Sequence, residues 1–221
     1  MRIGLLGGTF NPIHNGHLQI AQEVWKRLHL DSVLFIPAGA PPHKPDEKIP
    51  SAAHRFEMTR LALLDHPHFK PSDIEVTRPG RSYSIETISQ LRSLHPSDAL
   101  FFIIGMDAFY DLPTWKEAER LLTLSNFVVV SRPGHSFSRY PRFDPLHGID
   151  PAAMGALDRH ERDFYTLPVT PETSLYFMTI SPSPLSASAI RKEIAAGKRP
   201  KNLLPESVES YIIKNDLYTN S

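Results

Sequence analysis

Arg2-Ile3-Gly4-Leu5-Leu6-Gly7-Gly8-Thr9-Phe10-Asn11-Pro12-Ile13-His14-Asn15-Gly16-His17 is the stretch from which the rest of the chain can be read. Arg2 to Leu6 is a short apolar run that ends on two glycines, the pattern of a buried parallel strand entering a tight turn. Beyond the turn, Leu18, Ala21, Val24, Trp25 and Leu28 recur at helical spacing, which predicts a helix from Asn15 to about His29. Ser32 to Ile36 reads as a second strand, closed by Pro37. Strand, helix and strand in immediate succession make a βαβ unit, and such a unit implies parallel pairing.

The same alternation continues outward. Prolines 37, 41, 42, 45 and 50 exclude a helix and predict an ordered loop. Ser51 to about His66 follows as a helix with Ser51 as N-cap and Phe56, Leu63 and Leu64 on one side. Ile74 to Val76 reads as a short strand, and Ser82 or Ser84 opens a helix carrying Ile85, Ile88, Leu91 and Leu94. Leu100 to Ile104, ending in Gly105, and Phe127 to Val130, ending in Ser131-Arg132-Pro133-Gly134, are buried strands, and Leu175 to Ile180 is the last. Helices over Ser186 to Ala196 and Pro205 to Lys214 close the chain. The segment 135–171 is rich in Pro, His and charge; it carries no readable function, only a short helix near Pro151 to Arg162. The expected fold class is α/β: a Rossmann-like, doubly wound, mostly parallel sheet with helices on both faces and a C-terminal helical segment. A single domain spans 1–221, with 1–185 as the core and 186–221 as the C-terminal helices. Ligands of such sheets lie at the carboxyl ends of the strands, so the residues just after each strand form a set.

Composition narrows the function. Lys plus Arg and Asp plus Glu are 24 each, and the net charge of zero argues against a nucleic-acid coat or an anionic membrane as partner. There is no cysteine, which excludes disulfides, zinc–thiolate sites, iron–sulfur clusters and a thiol nucleophile. No apolar run reaches the roughly 18 residues of a membrane helix, so a cytoplasmic protein is expected. Proline is in excess, 21 of 221 residues, against a usual share of about 5%.

Two segments carry phosphate chemistry. Gly7 and Gly8 let the backbone approach a ligand, and the helix opening near Asn15 points its free N–H groups and positive dipole end at the same place. His14 and His17, three apart across the first turn, face that position. In isolation they would be two surface histidines; a metal site lacks a third ligand at helical spacing, so none is expected. Neither G-x-x-x-x-G-K-[ST] nor G-x-G-x-x-G is present, which removes ordinary P-loop kinases and dehydrogenases. Near the C-terminus, Ser186-Ala187-Ser188-Ala189-Ile190-Arg191 offers hydroxyls and a guanidinium at a second helix N-terminus.

Together, Gly7-Gly8-Thr9-Phe10-Asn11-Pro12-Ile13-His14-Asn15-Gly16-His17 and Ser186 to Arg191 resemble the paired signatures of the nucleotidyltransferase superfamily with the H-x-G-H motif. Phe35 to Lys44, Arg81 to Thr87, Phe102 to Asp107 and Pro113-Thr114-Trp115 are similar to nicotinate-nucleotide adenylyltransferases in particular. The resemblance runs from Arg2 to about Asp216 and is weakest over 135–171. It implies adenylyl transfer from ATP to nicotinate mononucleotide, with Mg²⁺ held by phosphates and water. It implies that Gly7, Gly8, Thr9 and Phe10 lie along the ATP phosphates, Thr9 and Phe10 also meeting the mononucleotide. His14 and His17 would hold the α- and β-phosphates, and Ser186, Ser188 and Arg191 the departing pyrophosphate. Gly105 and Asp107 would contact the ATP ribose, and Arg132 the nucleotide. His43 and Lys44 would face the mononucleotide phosphate, Trp115 would stack on the pyridine ring, and backbone N–H groups near Ser84 and Lys116 would receive the nicotinate carboxylate. The family usually has Asp where this chain has Asn11, which keeps the turn without the charge and is given no catalytic role.

The expected mechanism is in-line attack of the mononucleotide phosphate on the α-phosphorus of ATP, driven by positioning and electrostatics from His14, His17 and Arg191. Two alternatives stay open: another transferase of the superfamily, acting on nicotinamide mononucleotide or phosphopantetheine or with a cytidylyl donor, and a non-catalytic nucleotide-binding sensor. The sequence leaves room for a homo-oligomer.

Overall fold

The computed structural model describes residues 1–41 and 49–219. Seven strands form one sheet: β1 (Arg2–Gly8), β2 (Ser32–Pro37), β3 (Phe69–Pro71), β4 (Ala99–Gly105), β5 (Asn126–Val130), β6 (Phe164–Pro168) and β7 (Ser174–Met178). Their order across the sheet is β3-β2-β1-β4-β5-β7-β6. Every pairing is parallel except β6 with β7 at one edge. The chain thus winds outward in one direction from β1 and then in the other from β4. This is the doubly wound, mostly parallel arrangement expected from the βαβ reading.

Both faces of the central strands are covered, and the sequence shows why they read as continuous apolar runs. In β4, Leu100, Phe102 and Ile104 point into one core, while Phe101 and Ile103 point into the other. In β5, Phe127 and Val129 alternate with Val128 and Val130 in the same way. One face is covered by α3 (Ser84–Leu94), α4 (Met106–Tyr110), α5 (Ala118–Leu124) and α6 (Pro151–Asp158). The other is covered by α1 (Asn15–Arg27), α2 (Ala52–Ala62), α7 (Ala187–Ala195) and α8 (Glu206–Lys214). Gly4 in β1 leaves room for its neighbours: a Cβ there would stand 2.9 Å from Leu30 Cδ1. No helix among the described residues is long and apolar enough to cross a membrane.

Two expectations are corrected, and three elements go beyond the sequence reading. Ile74 to Val76 is a turn, not a strand; the edge strand is Phe69–Pro71, paired with Val33 to Phe35. Ile74 is apolar because the turn buries it in the core on the α3 side of the sheet, so local composition imitated a strand. The buried side of α2 is Arg55, Met58, Thr59 and Ala62, whereas Leu64 is 61% exposed and Phe56 only half-buried. A buried stripe that contains Arg and Thr is invisible to apolar periodicity. Within 135–171, β6 was not anticipated: it is a half-exposed edge strand ending in a proline, which leaves only a weak alternation. The short helices α4 and α5 were not anticipated either, being five and seven residues long.

Candidate active site

A cleft of about 1260 Å³ opens at the carboxyl ends of β1, β2, β4, β5 and β7, where the winding direction reverses between β1 and β4. Its first wall is the N-terminus of α1. His14 is the N-cap residue and is buried; its N–H donates to His17 Nδ1 at 3.2 Å. The two imidazoles stack with ring centroids 3.8 Å apart. Because Nδ1 of His17 accepts, its neutral ring carries the proton on Nε2, which stays available as a donor. Burial, the neighbouring His14 and the Arg132 charge hold His17 well below the usual histidine range. Burial and Arg132 lower His14 to about 4. Both rings are therefore neutral donors at pH 7 in the free protein. Gly16 between them has a steric reason: a Cβ would lie 3.0 Å from both His14 Nδ1 and Ser183 Oγ. Phe10 sits in the left-handed region at φ 46° and sets its ring edge-on to His17 at 5.0 Å.

The opposite wall is the N-terminus of α7. Ser186 caps it, its Oγ accepting from Ala189 N at 3.1 Å. Ser188 is exposed to the cleft. Arg191 crosses to the first wall, donating to Asn11 O at 2.8 Å and to Ser188 Oγ at 3.3 Å. The two segments singled out in the sequence, with Arg191 and Asn11 180 residues apart, thus meet at one place.

At the end of β4, the Asp107 carboxylate folds back over Gly105, where a Cβ would stand 2.4 Å from Oδ1. Arg132, after β5, closes this side with an ion pair to Asp107 Oδ2 at 2.6 Å. The far end is apolar: Trp115 is half-buried and lies edge-on to Phe102 at 6.2 Å. Ser84 lines the cleft there as the first residue of α3, so the positive end of that helix faces the Trp115 side. The Lys116 side chain turns away from the cleft, to Glu86 Oε1 at 2.8 Å and over the Tyr83 ring at 4.8 Å. Gly7, Gly8 and Thr9 line the cleft. His43 and Lys44 lie outside the described residues.

Four buried polar atoms in these walls have no partner among the described residues: Asn11 Oδ1 and Nδ2, His14 Nδ1 and Asp107 Oδ1. Leaving such atoms unmet is costly, so their concentration here is what a cleft for a polar ligand shows. Asn11, one of these residues, has no catalytic role assigned from the sequence, and nothing in the sequence marks Asp158. Asp158, at the end of α6, accepts from Ser136 Oγ, Phe137 N, Ser138 N and Ser138 Oγ at 2.5–3.0 Å. It thereby ties down the rim that follows Arg132. A contact across about 20 residues leaves no local signal.

The cytidylyltransferase-like family profile matches residues 5–193. Among curated proteins, "Probable nicotinate-nucleotide adenylyltransferase" of Geotalea daltonii is 44% identical over 220 residues, covering all of this chain and 99% of that one. Its counterpart of the same name in Citrifermentans bemidjiense is 42% identical, with both chains fully covered. Among solved structures, a Plasmodium falciparum nicotinic acid mononucleotide adenylyltransferase complexed with NaAD superposes with a TM-score of 0.72 at 18% identity. It covers 98% of this chain and 97% of its own, and shares the fold.

Proposed function

The chain belongs to the cytidylyltransferase-like family and, within it, to the nicotinate-nucleotide adenylyltransferases, and from that premise we propose how its cleft works. The reaction is transfer of the adenylyl group of ATP to nicotinate mononucleotide, giving nicotinate adenine dinucleotide and pyrophosphate for NAD biosynthesis. The observation that carries the reading is the meeting of two helix N-termini, His14 and His17 on one and Ser188 and Arg191 on the other, bridged by Arg191 to Asn11 O at 2.8 Å.

A phosphate oxygen of the mononucleotide attacks the α-phosphorus of ATP. The new P–O bond forms as the bond to the β-phosphate oxygen breaks, and pyrophosphate leaves. The attacking phosphate is already ionised near neutral pH, so no side chain has to remove a proton. His17 Nε2–H donates to the α-phosphate oxygens, where negative charge grows, and His14 assists beside it. Neutral, rigidly stacked imidazoles suit this task, since they donate without reorganising. Ser186, Ser188 and Arg191 hold the β- and γ-phosphates and steady the leaving group. Gly7, Gly8, Thr9 and Phe10 line the path between the substrates, and Gly105, Asp107 and Arg132 take the nucleoside side. Trp115 offers a flat face to the pyridine ring. The amides at the start of α3, with Lys116 N–H nearby, favour a carboxylate over an amide on that ring. His43 and Lys44 belong to this proposal on the family resemblance alone.

The donor set also bears on Mg²⁺. The groups facing the phosphate end are imidazoles, hydroxyls, a guanidinium and amides, which suit phosphate oxygens, whereas Mg²⁺ takes oxygen ligands. Among the described residues no three His, Asp or Glu side chains converge. The cleft fits Mg²⁺ brought in on the phosphates, where it would offset their charge. The single sheet and the family match over 5–193 support one domain across the chain.

One assay tests the reading: pyrophosphate release from ATP with nicotinate mononucleotide, nicotinamide mononucleotide and phosphopantetheine offered separately. Release is expected with nicotinate mononucleotide at a kcat/KM well above the other two. Faster release with phosphopantetheine, or none with any acceptor, would overturn it.

A further inference from the structure

Arg55 is the bulkiest fully buried side chain among the described residues, 1% exposed. It lies outside both phosphate segments, and nothing in the sequence marks it. Its hydrogen bonds go to backbone carbonyls: Nη1 to Thr9 O at 2.8 Å, Nη2 to Gly39 O at 2.9 Å, and Nε to Pro50 O at 3.1 Å. Burying a guanidinium is costly, and an apolar residue would fill the same space more cheaply. What an apolar residue could not do is hold three separate chain segments at once. Only the planar five-donor fork of arginine has that reach.

The three carbonyls are not random points on the backbone. Gly39 and Pro50 are the two stems of the proline-rich loop that follows β2. Thr9 immediately precedes Phe10, whose backbone is held in the left-handed region at φ 46°. Asn11, on the other side of Phe10, gives its carbonyl to Arg191 at 2.8 Å. Thus the residues flanking Phe10 are each gripped by an arginine, one from α2 and one from α7. Such backbone strain persists where the surroundings over-determine it. Phe10 in turn sets the edge of its ring against His17 at 5.0 Å. The Gly39 stem is pinned a second time: Ser82 Oγ accepts from Gly39 N at 2.9 Å and Ala40 N at 3.2 Å. A Cβ on Gly39 would meet the Glu75 carbonyl at 2.1 Å, so this stem has no slack.

We propose that Arg55 is a positioning residue that couples the two substrates: by gripping Thr9, Gly39 and Pro50 together, it fixes the Phe10–His17 pair and the stems of the loop after β2 in one relative geometry. It touches neither substrate. This role rests on the reaction proposed above, in which His17 serves the α-phosphate and the loop after β2 serves the mononucleotide. Arg55→Lys keeps the charge but cannot reach three carbonyls. Ser82→Ala loosens only the Gly39 stem.

The test is steady-state kinetics of the wild-type, Arg55→Lys and Ser82→Ala proteins, with both substrates varied and the thermal midpoint measured alongside. Loss of one or two charge-assisted hydrogen bonds predicts that Arg55→Lys lowers kcat about tenfold and raises KM for nicotinate mononucleotide by a similar factor. KM for ATP should stay near the wild-type value, because the α7 wall is intact. Ser82→Ala should raise KM for the mononucleotide about threefold with kcat unchanged. A merely structural Arg55 would lower the thermal midpoint and the amount of active protein while leaving both KM values alone, and that result overturns the proposal. Unchanged mononucleotide KM in Ser82→Ala, which should fold whatever happens to the other variant, also overturns it. Wild-type protein run in parallel separates the failures: no pyrophosphate from wild type overturns the reaction, not the coupling.

Discussion

The N-termini of α1 and α7 face each other across one cleft and are built on opposite physical principles. At α1 the donors are imidazoles, His14 buried and His17 half-buried, stacked 3.8 Å apart and held below the usual histidine range by burial. At α7 the donors are a cap hydroxyl, an exposed serine and a half-buried guanidinium. One end is rigid, neutral and partly desolvated; the other is charged and wetter. The difference matches the two jobs of an adenylyl transfer. The reacting phosphorus needs fixed donors in a low-dielectric place, where charge develops during the step. The leaving pyrophosphate carries its charge from the start and needs attraction together with a way out.

The comparison breaks first at His17. If α1 supplies the preorganised donor, His17→Ala should lower kcat by about 10²–10³-fold while KM for ATP moves little. His17→Gln, which keeps an N–H near the Nε2 position, should recover part of that loss. Stopped-time pyrophosphate assays with both variants check it. Near-normal turnover in His17→Ala would mean that the rigid wall is not where the chemistry is stabilised.

How much of this was legible in the sequence depends on who covers whom. β4 and β5 were plain because both faces are packed, which makes Leu100 to Ile104 and Phe127 to Val130 unbroken apolar runs. The helix starts at Ser51 and Ser186 were plain because capping is local, and the one at Asn15 because apolar residues recur at helical spacing behind it. The two phosphate segments could be paired by resemblance, but the bridge from Arg191 to Asn11 O is a long-range backbone contact that no pattern encodes. The same holds for Arg55, whose burial opposes the apolar rule, and for Asp158, whose partners lie about 20 residues away. The edge strand β6 was lost because half of its side chains face solvent. Local signals thus reported the sheet and the helix termini; the residues that brace the cleft do their work through backbone groups that every residue possesses.

The second break is in pH. His14 titrates at about 4 in the folded protein, against an ordinary value of 6.5. Since the folded pKa is depressed, the unfolded chain takes up its proton first as pH falls. Stability is therefore complete above about pH 6.5 and is lost progressively down to about pH 4, by about 3 kcal/mol for this one group. His17, also depressed, adds in the same direction. His14→Gln, which does not titrate, should flatten the curve. Thermal midpoints of both proteins between pH 4 and pH 8 check it, and parallel curves would show that the imidazole pair is not protected from protonation.

The smallest effect should come from Arg191→Lys, and it sharpens the contrast most directly. Lysine keeps the positive charge but, as a point donor, cannot hold Asn11 O and Ser188 Oγ together as Arg191 does at 2.8 and 3.3 Å. KM for ATP should rise about tenfold with a lesser fall in kcat, because the loss falls on ground-state binding of phosphates that are charged throughout. The α7 wall is also the one that salt can reach, so KM for ATP should climb with ionic strength in the wild-type protein. His17→Ala should leave that salt slope as it was, since a neutral imidazole contributes nothing for ions to screen. Equal salt slopes in wild type and Arg191→Gln, which removes the charge, with the slope altered in His17→Ala, would reverse the assignment of charge and rigidity between the two walls. A slope that follows Arg191 alone would tie the electrostatic half of the work to α7 and leave the geometric half to α1.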